Sequence, residues 1–168
     1  MINSLPVILP VSELDFKYVA DIYNEYILLG NATMEEALYD YDRVKKWVFN
    51  FNEREKMLVL KNDQQKVIGW GVIKNYSDRE GYKTTCETSV YLTQNECCKG
   101  YGTLLKMHLI DACKTLGYHH IVAKIFASNE SSIAYNLKLG YEMVGRQKEI
   151  GFKNGQWLDV IILQYIIK

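Results

Sequence analysis

The segment CCKGYGTLL, Cys97–Leu105, has the residue types of a turn that binds phosphate. Gly100 and Gly102 lack Cβ, so the backbone can adopt positive φ and approach a ligand closely. Placed directly before a helix, such a turn aims several N–H groups at one point, where the positive end of the helix dipole adds to them. A pyrophosphate needs this geometry, although the pattern taken alone also fits a plain structural joint.

Two better-known phosphate motifs are excluded by spacing. The sequence has no G-x-x-x-x-G-K-S/T, and a G-x-G-x-x-G fingerprint would need a third glycine where Leu105 stands. The turn also follows the fourth predicted strand rather than the first. The four cysteines, Cys86, Cys97, Cys98 and Cys113, show neither C-x-x-C spacing nor a nearby H-x-x-x-H, so we expect no metal site.

Composition sets the class of protein. A chain of 168 residues suits one domain, residues 1–168. Lys+Arg and Asp+Glu both total 20, which argues against nucleic acid and anionic membranes as partners. No apolar run reaches about 18 residues, and the N-terminus has no basic region of a signal peptide. We therefore expect a cytoplasmic protein with reduced cysteines.

The periodicity of apolar residues predicts the elements that hold the glycine turn, in the order β-α-α-β-β-β-α-β-α-β-β. Helices are predicted from a Ser12 cap to Gly30, after Asp40 or Asp42, over Thr103–Leu116, and from Ser131 or Ser132 to Gly140. Strands are predicted at Val7–Val11, Met57–Lys61, Val67–Lys74, Glu87–Thr93, Ile121–Phe126, Tyr141–Ile150 and Trp157–Ile167. The crossover from Glu87 to Phe126 requires part of the sheet to be parallel.

This succession, with Asn129 after the fifth strand and Leu139-Gly140-Tyr141 after the last helix, resembles the GNAT N-acetyltransferase superfamily over most of the chain. The pyrophosphate motif of that family, Q/R-x-x-G-x-G/A, falls on Cys97–Gly102. Both glycines match, and Cys97 replaces the Gln or Arg. The resemblance implies an α/β (α+β) fold with a mixed sheet of about six to seven strands, flanked by about four helices and splayed between the fourth and fifth strands.

Three segments are similar to the phosphinothricin acetyltransferase-like branch. ETSVYL at Glu87–Leu92 resembles its E-x-S/T-V-Y-V strand, and GFKNGQWLD at Gly151–Asp159 resembles its G-F/Y-K-x-G-x-W-x-D hairpin. IYNEY at Ile22–Tyr26 and NATME at Asn31–Glu35 resemble I-Y-N-x-Y and T-A-T-F-E, with Met34 where Phe is usual. The branch also implies a homodimer.

The resemblance implies acetyl-CoA as cosubstrate and no metal. Backbone groups of Val90 and Leu92 would bind the pantetheine arm as if it were an added strand. Asn129 would contact the same arm, although it also suits the cap of the next helix. The remaining implied cofactor residues are Cys98, Lys99, Gly100, Tyr101, Gly102, Thr103 and Asn136.

The resemblance assigns the general base to Glu87, and the alternative for this residue is a solvated strand glutamate. The position from which most of the family protonates the departing thiolate with Tyr is Asn136 here. Asn cannot act as an acid, so water or another group must supply that proton. Tyr135 is adjacent but points about 100° away around the helix.

The expected acceptor is the primary amine of a small, amino-acid-like molecule of the phosphinothricin, methionine sulfone or methionine sulfoximine type. Arg79 and Tyr82 would bind it from the YSDREGY loop, together with Thr33 and Met34. Thr84 and Met34 replace residues usual in the branch and indicate a reshaped pocket. Two alternatives stay open: a non-catalytic acyl-CoA-binding module, and an enzyme that acetylates a protein or peptide.

Overall fold

The computed structural model describes residues 6–168 and shows the predicted order of seven strands and four helices. The helices are α1 (Phe16–Leu29), α2 (Tyr41–Phe49), α3 (Tyr101–Thr115) and α4 (Glu130–Lys138). The strands are β1 (Val7–Pro10), β2 (Lys56–Lys61), β3 (Val67–Asn75), β4 (Thr85–Leu92), β5 (His120–Phe126), β6 (Glu142–Lys153) and β7 (Gln156–Ile166).

The strands form one mixed sheet in the order β1-β2-β3-β4-β5-β7-β6. Only β4 and β5 are parallel, and they pair solely between Thr85–Glu87 and His120–Val122. Beyond that point β4 stays paired with β3 and β5 with β7. The predicted mixed sheet with a splay between its fourth and fifth strands is therefore confirmed.

Apolar residues cover both faces of the sheet. Helices α1 and α2 pack on one face, around Phe16, Val44 and Trp70. Helix α3 packs on the other face through Leu105 and Leu109. This second contact is close, because a Cβ on Gly71 of β3 would lie 2.7 Å from the Cδ1 atom of Leu109. The approach holds the middle of α3 close to β3.

Ser12 caps the first helical segment as predicted, and the Asp15 carboxylate accepts the Ser12 N–H at 2.9 Å. The first turn, Glu13–Asp15, is a 3-10 turn that continues directly into α1 at Phe16. The serine cap predicted for α4 was wrong. Helix α4 starts after Asn129, whose Oδ1 accepts the Ser132 N–H at 3.2 Å, rather than after a serine.

The other boundaries moved by a few residues. Helix α3 begins at Tyr101, two residues before the predicted Thr103, and Asp40 caps α2 by accepting the Arg43 N–H at 2.8 Å. The β6–β7 hairpin is longer than predicted, since Asn154 and Gly155, with φ of 52° and 73°, complete its turn alone. Two successive positive φ values match the twist of the flanking strands.

Candidate active site

The splay leaves backbone groups of β4 without a strand partner on the β5 side. Leu92 shows in which direction these backbone groups point. Its C=O accepts a hydrogen bond from the Tyr26 hydroxyl at 2.6 Å, and its N–H lies 3.4 Å from the same oxygen. Val90 lies two residues earlier, so its N–H and C=O face the same gap. Buried backbone groups of this kind need a partner, and an extended ligand arm can supply one.

Tyr26 was missed as a site residue, because in the sequence it belongs to the apolar row of α1. In the structure its hydroxyl reaches across to Leu92, and the Cys97 Sγ lies 3.7 Å from it. Burial raises the pKa of Tyr26, so the phenol stays neutral and can donate. Cys97 also lies 3.7 Å from the Thr93 carbonyl, which ties the loop to the end of β4.

A cavity of about 630 Å³ opens on the α3 side of the gap. The predicted cofactor residues that line it are Val90, Leu92, Cys98, Gly100, Gly102, Thr103 and Asn129, and Tyr26, Cys97 and Tyr135 join them. Three predicted residues, Lys99, Tyr101 and Asn136, do not line it. Lys99 pairs with Glu96 at 3.0 Å, and Tyr101 packs against the core.

The glycine turn has the backbone conformation that the sequence predicted. Gly100 adopts φ of 85° as the last residue before α3, and Cys98 also has a positive φ of 63°. The open space around Gly100 would admit a Cβ, so the backbone conformation itself requires glycine there. The first N–H groups of a 15-residue helix follow directly, which suits a pyrophosphate.

Asn129 precedes α4 and lines this cavity, whereas Asn136 of α4 is not among the residues that line it. Asn129 acts as the helix cap and also lines the cavity, so the two roles considered for it are compatible. Asn136 is buried, and its Nδ2 donates to the Ser132 carbonyl at 2.8 Å. Its Oδ1 has no hydrogen-bond partner among the described residues.

A small cavity of about 50 Å³ lies in the gap itself. Thr88–Tyr91 of β4 and Ala123–Phe126 of β5 form two of its walls, and Lys106 and Asn136 contribute to the others. It shares Val90 and Asn129 with the first cavity, and it shares Ser89 and Lys124 with a third, larger cavity. The small cavity is therefore a neighbour of both larger ones.

The third cavity, of about 1070 Å³, lies on the opposite side of the sheet and is lined by Thr33, Met34 and Glu87. Thr33 is fixed by a 2.8 Å hydrogen bond between its hydroxyl and that of Tyr23. Met34 packs on Gly151, where a Cβ would lie 2.5 Å from the Met34 sulfur. The structure therefore brings Thr33, Met34 and Glu87 to one wall.

Glu87 is the last β4 residue that pairs with β5, so its carboxylate lies at the point where the strands separate. The side chain is 17% exposed and contacts Lys124 at 2.8 Å and Lys74 at 3.9 Å. Both lysines also line the large cavity, and neither was predicted as a site residue. Both lysines are partly exposed, whereas the carboxylate between them is mostly buried.

Arg79 and Tyr82 are not brought to Glu87. Arg79 lines a separate depression of about 520 Å³ with Arg54 and Tyr118. Tyr82 stacks on Tyr76 with ring centroids 5.4 Å apart, and only Tyr76 reaches the lining of the large cavity.

Comparison with known proteins identifies the arrangement. The profile described as "Acetyltransferase (GNAT) domain" matches residues 8–162. The chain belongs to the GNAT acetyltransferase family. An L-methionine sulfoximine/L-methionine sulfone acetyltransferase of Pseudomonas paraeruginosa is 30% identical over 152 residues, which cover 89% of this chain and 88% of the relative.

Two solved GNAT structures have the same fold and contain the cofactor. The structure of yncA from Salmonella typhimurium with acetyl-CoA superposes with a TM-score of 0.93 at 27% identity, covering 98% of this chain and 95% of that one. A phosphinothricin acetyltransferase from Sinorhizobium meliloti with acetyl-CoA gives 0.92 at 28% identity, covering 98% and 89%. The chain is thus a GNAT N-acetyltransferase that uses acetyl-CoA.

Within residues 6–168, no three His, Cys, Asp or Glu side chains are arranged to hold a metal ion. Over the same range, no helix has the length and apolar character needed to span a membrane.

The structure gives a role to Lys153, the lysine of the G-F-K-N-G segment in the β6–β7 hairpin. It is buried, and its ammonium donates to the carbonyls of Thr33, at 2.9 Å, and Glu35. Burial lowers the pKa of Lys153, opposed by the negative charges of Glu36 and Glu35. The hairpin therefore holds the loop that carries Thr33 and Met34.

We expect Lys153→Met to lower the free energy of unfolding by about 2 kcal/mol, because two carbonyls lose their charged donor. Residues 31–39 should also become more susceptible to limited proteolysis. Urea denaturation and mass spectrometry of the fragments measure the two effects. Lys148→Met, at an exposed position of the same strand, is the matched control. Equal stability and equal cleavage of both variants would contradict the role given to Lys153.

Proposed function

We propose that the protein transfers the acetyl group of acetyl-CoA directly to the primary amine of a small, amino-acid-like acceptor, with Glu87 as general base. The observation that carries the proposal is the position of Glu87. It lies where the splay begins and lines the large cavity, which shares Ser89 and Lys124 with the small cavity in the gap. The cofactor would enter from the α3 side and the acceptor from the opposite side.

The chemistry requires a neutral amine, a polarised thioester carbonyl and a proton for the thiolate. An arriving ammonium would replace Lys124 beside the Glu87 carboxylate and then lose a proton to it, directly or through water. The Val90 N–H, which faces the gap, would donate to the thioester oxygen and stabilise its developing charge.

The acceptor proposal rests on the relatives and on the charges of the large cavity. The relatives are named for methionine sulfoximine, methionine sulfone and phosphinothricin. Lys74, Lys124 and His120 line the cavity and offer donors for a carboxylate or an oxidised sulfur or phosphorus group. Thr33 and Met34 would form its wall. Arg79 has no part in this proposal, since it lines a separate depression, and Tyr82 would act only by supporting Tyr76.

We further propose that the protein is a homodimer and works in the cytoplasm. The location is supported by the use of acetyl-CoA and by four cysteines that are all free. Dimerisation is supported by the branch resemblance and by exposed apolar residues on the β6–β7 hairpin. Phe152 and Trp157, 56% and 63% exposed, stack there with centroids 4.9 Å apart. Val144 and Ile150 of the hairpin also line the large cavity.

Light scattering should give a mass near twice 19.5 kDa. Trp157→Lys should shift the protein toward monomer, because a charge replaces apolar surface that a partner would cover. Phe49→Lys, at an exposed aromatic of α2, is the matched control and should leave the mass unchanged. A wild-type monomer at micromolar concentration would refute the dimer.

Glu87→Gln should lower kcat by on the order of 10²-fold or more while acetyl-CoA still binds, because the amide cannot take the ammonium proton. Raising the pH from about 6 to about 7.5 should partly restore activity, since a larger share of the amine is then neutral in solution. Thiol release in steady-state assays and calorimetry with acetyl-CoA measure the two properties. Asp63→Asn, in the exposed β2–β3 turn, controls for loss of an acidic charge. An unchanged kcat would remove Glu87 as the base.

A panel of amines tests the acceptor class. L-methionine sulfone, L-methionine sulfoximine and phosphinothricin should have the highest kcat/KM. The decarboxylated analogue of methionine sulfone should lose about 10-fold or more, because it cannot pair with the lysines of the cavity. Preference for that analogue, or for a peptide beginning with alanine, would contradict an amino-acid-like acceptor.

A further inference from the structure

Lys106 is a buried cation to which the reaction described above gives no role. It lies on α3 and is 2% exposed, although lysine is rarely buried without a charged partner. No carboxylate among the described residues forms a salt bridge with it. Its ammonium donates to the Thr88 hydroxyl at 2.7 Å and lies 4.9 Å from the centre of the Tyr141 ring.

This ammonium lines the small cavity in the gap, between the spaces assigned to cofactor and acceptor. Two further polar atoms around it have no hydrogen-bond partner among the described residues. They are the Oδ1 of Asn136, which lines the same cavity, and the hydroxyl of Tyr141. A buried cation beside unpaired polar atoms costs folding free energy unless a ligand supplies the missing hydrogen bonds or charge.

We propose that Lys106 stabilises the thiolate of CoA as it departs and donates a proton to it. This inference rests on the proposed acetyl transfer, which places the thioester in the gap. Most of the family protonates this thiolate with the side chain that Asn136 of α4 replaces here. Lys106, on α3, would act as the catalytic acid instead. Thr88 orients the ammonium through the hydrogen bond that it accepts.

The protons balance. Glu87 takes one proton from the acceptor ammonium and passes it to solvent. The neutral amine attacks the thioester, the C–S bond breaks, and its electron pair stays on sulfur. Lys106 gives that sulfur a proton and becomes a neutral amine. The nitrogen of the new amide loses its second proton to water, and Lys106 regains one from solvent after CoA leaves.

The other titratable groups near the gap are poorer acids. Burial raises the pKa of Tyr135 and of Tyr141, which holds both as neutral phenols. The pKa of Cys86 is raised by its hydrogen bond to Cys113 and by burial. Asn136 has no proton to give at any accessible pH.

Lys106 has a suitable proton affinity. Burial lowers its pKa to about 8. The charges that oppose this shift are those of Cys113 on its own helix and of Cys86 and Glu87 on β4. At neutral pH the ammonium form therefore predominates, and its pKa lies close to that of an ordinary thiol, about 8.5.

The deciding experiment measures the thiolate of bound CoA by its ultraviolet absorbance as a function of pH. In the wild-type complex the thiol should lose its proton at a pH about one unit lower than in Lys106→Met, because the ammonium stabilises the thiolate. Lys106→Arg keeps the charge and should retain the wild-type value. Lys114→Met, at an exposed position of the same helix, is the matched control. An equal thiol pKa in wild type and Lys106→Met would overturn the proposal.

Kinetics supply a second readout. Lys106→Met should lower kcat about 10²-fold with little change in KM for acetyl-CoA, as expected for loss of a general acid. Wild-type kcat should fall as the pH rises through about 8 because Lys106 then loses its proton, and the variant should lack this fall. Thermal unfolding checks the fold, which the removal of a buried charge should not weaken.

The experiments distinguish a failure of the acceptor proposal from a failure of the Lys106 proposal. If wild type acetylates none of the amines but Lys106→Met still raises the thiol pKa of bound CoA, the acceptor proposal fails and the role of Lys106 stands. If transfer proceeds and Lys106→Met changes neither the thiol pKa nor the pH profile, Lys106 is only structural.

Discussion

The site depends on the interruption of the β4–β5 ladder, where backbone groups of the two strands do not hydrogen-bond to each other. The two strands pair over three residues and then separate, each remaining bonded to its other neighbour. Unpaired backbone groups inside a fold are unfavourable unless something else bonds them. Here the Tyr26 hydroxyl meets Leu92, and Val90 faces the gap. A strand-like cofactor arm would restore part of the interrupted ladder, and the defect in the sheet would then also be its binding surface.

The two sides of this gap carry different chemistry because different elements border them. On the α3 side, a turn with positive φ at Cys98 and Gly100 leads into the positive end of a long helix. On the other side, neighbouring strands place Lys74 and Lys124 around Glu87. The first surface suits phosphate through backbone donors alone. The second suits an acceptor that carries both an amine and an anionic group.

The sequence predicted most of the fold, because apolar periodicity is local and the order of elements follows from it. The glycine turn, Asn129, Thr33, Met34 and Glu87 also lie where the motifs indicated. The failures came from contacts between distant segments. Tyr26 belongs to an apolar helix row by spacing, and only the tertiary fold brings it to β4. Arg79 lies eight residues before Glu87 in the sequence, but its side chain lines a separate depression.

The sequence around Lys106 indicates that this lysine is buried. It lies three residues before Leu109 and seven before Cys113, both fully buried, so its helical row is a core row. A lysine in such a row costs free energy to bury, and a leucine or methionine would serve the core better. That cost is understandable if the charge acts at the gap. Proton removal by Glu87 and proton supply by Lys106 would then occur on opposite faces of the same strand, because neighbouring residues 87 and 88 point to opposite sides of the sheet and Lys106 contacts Thr88. Separating the two steps in this way keeps the base from taking the proton that the thiolate needs.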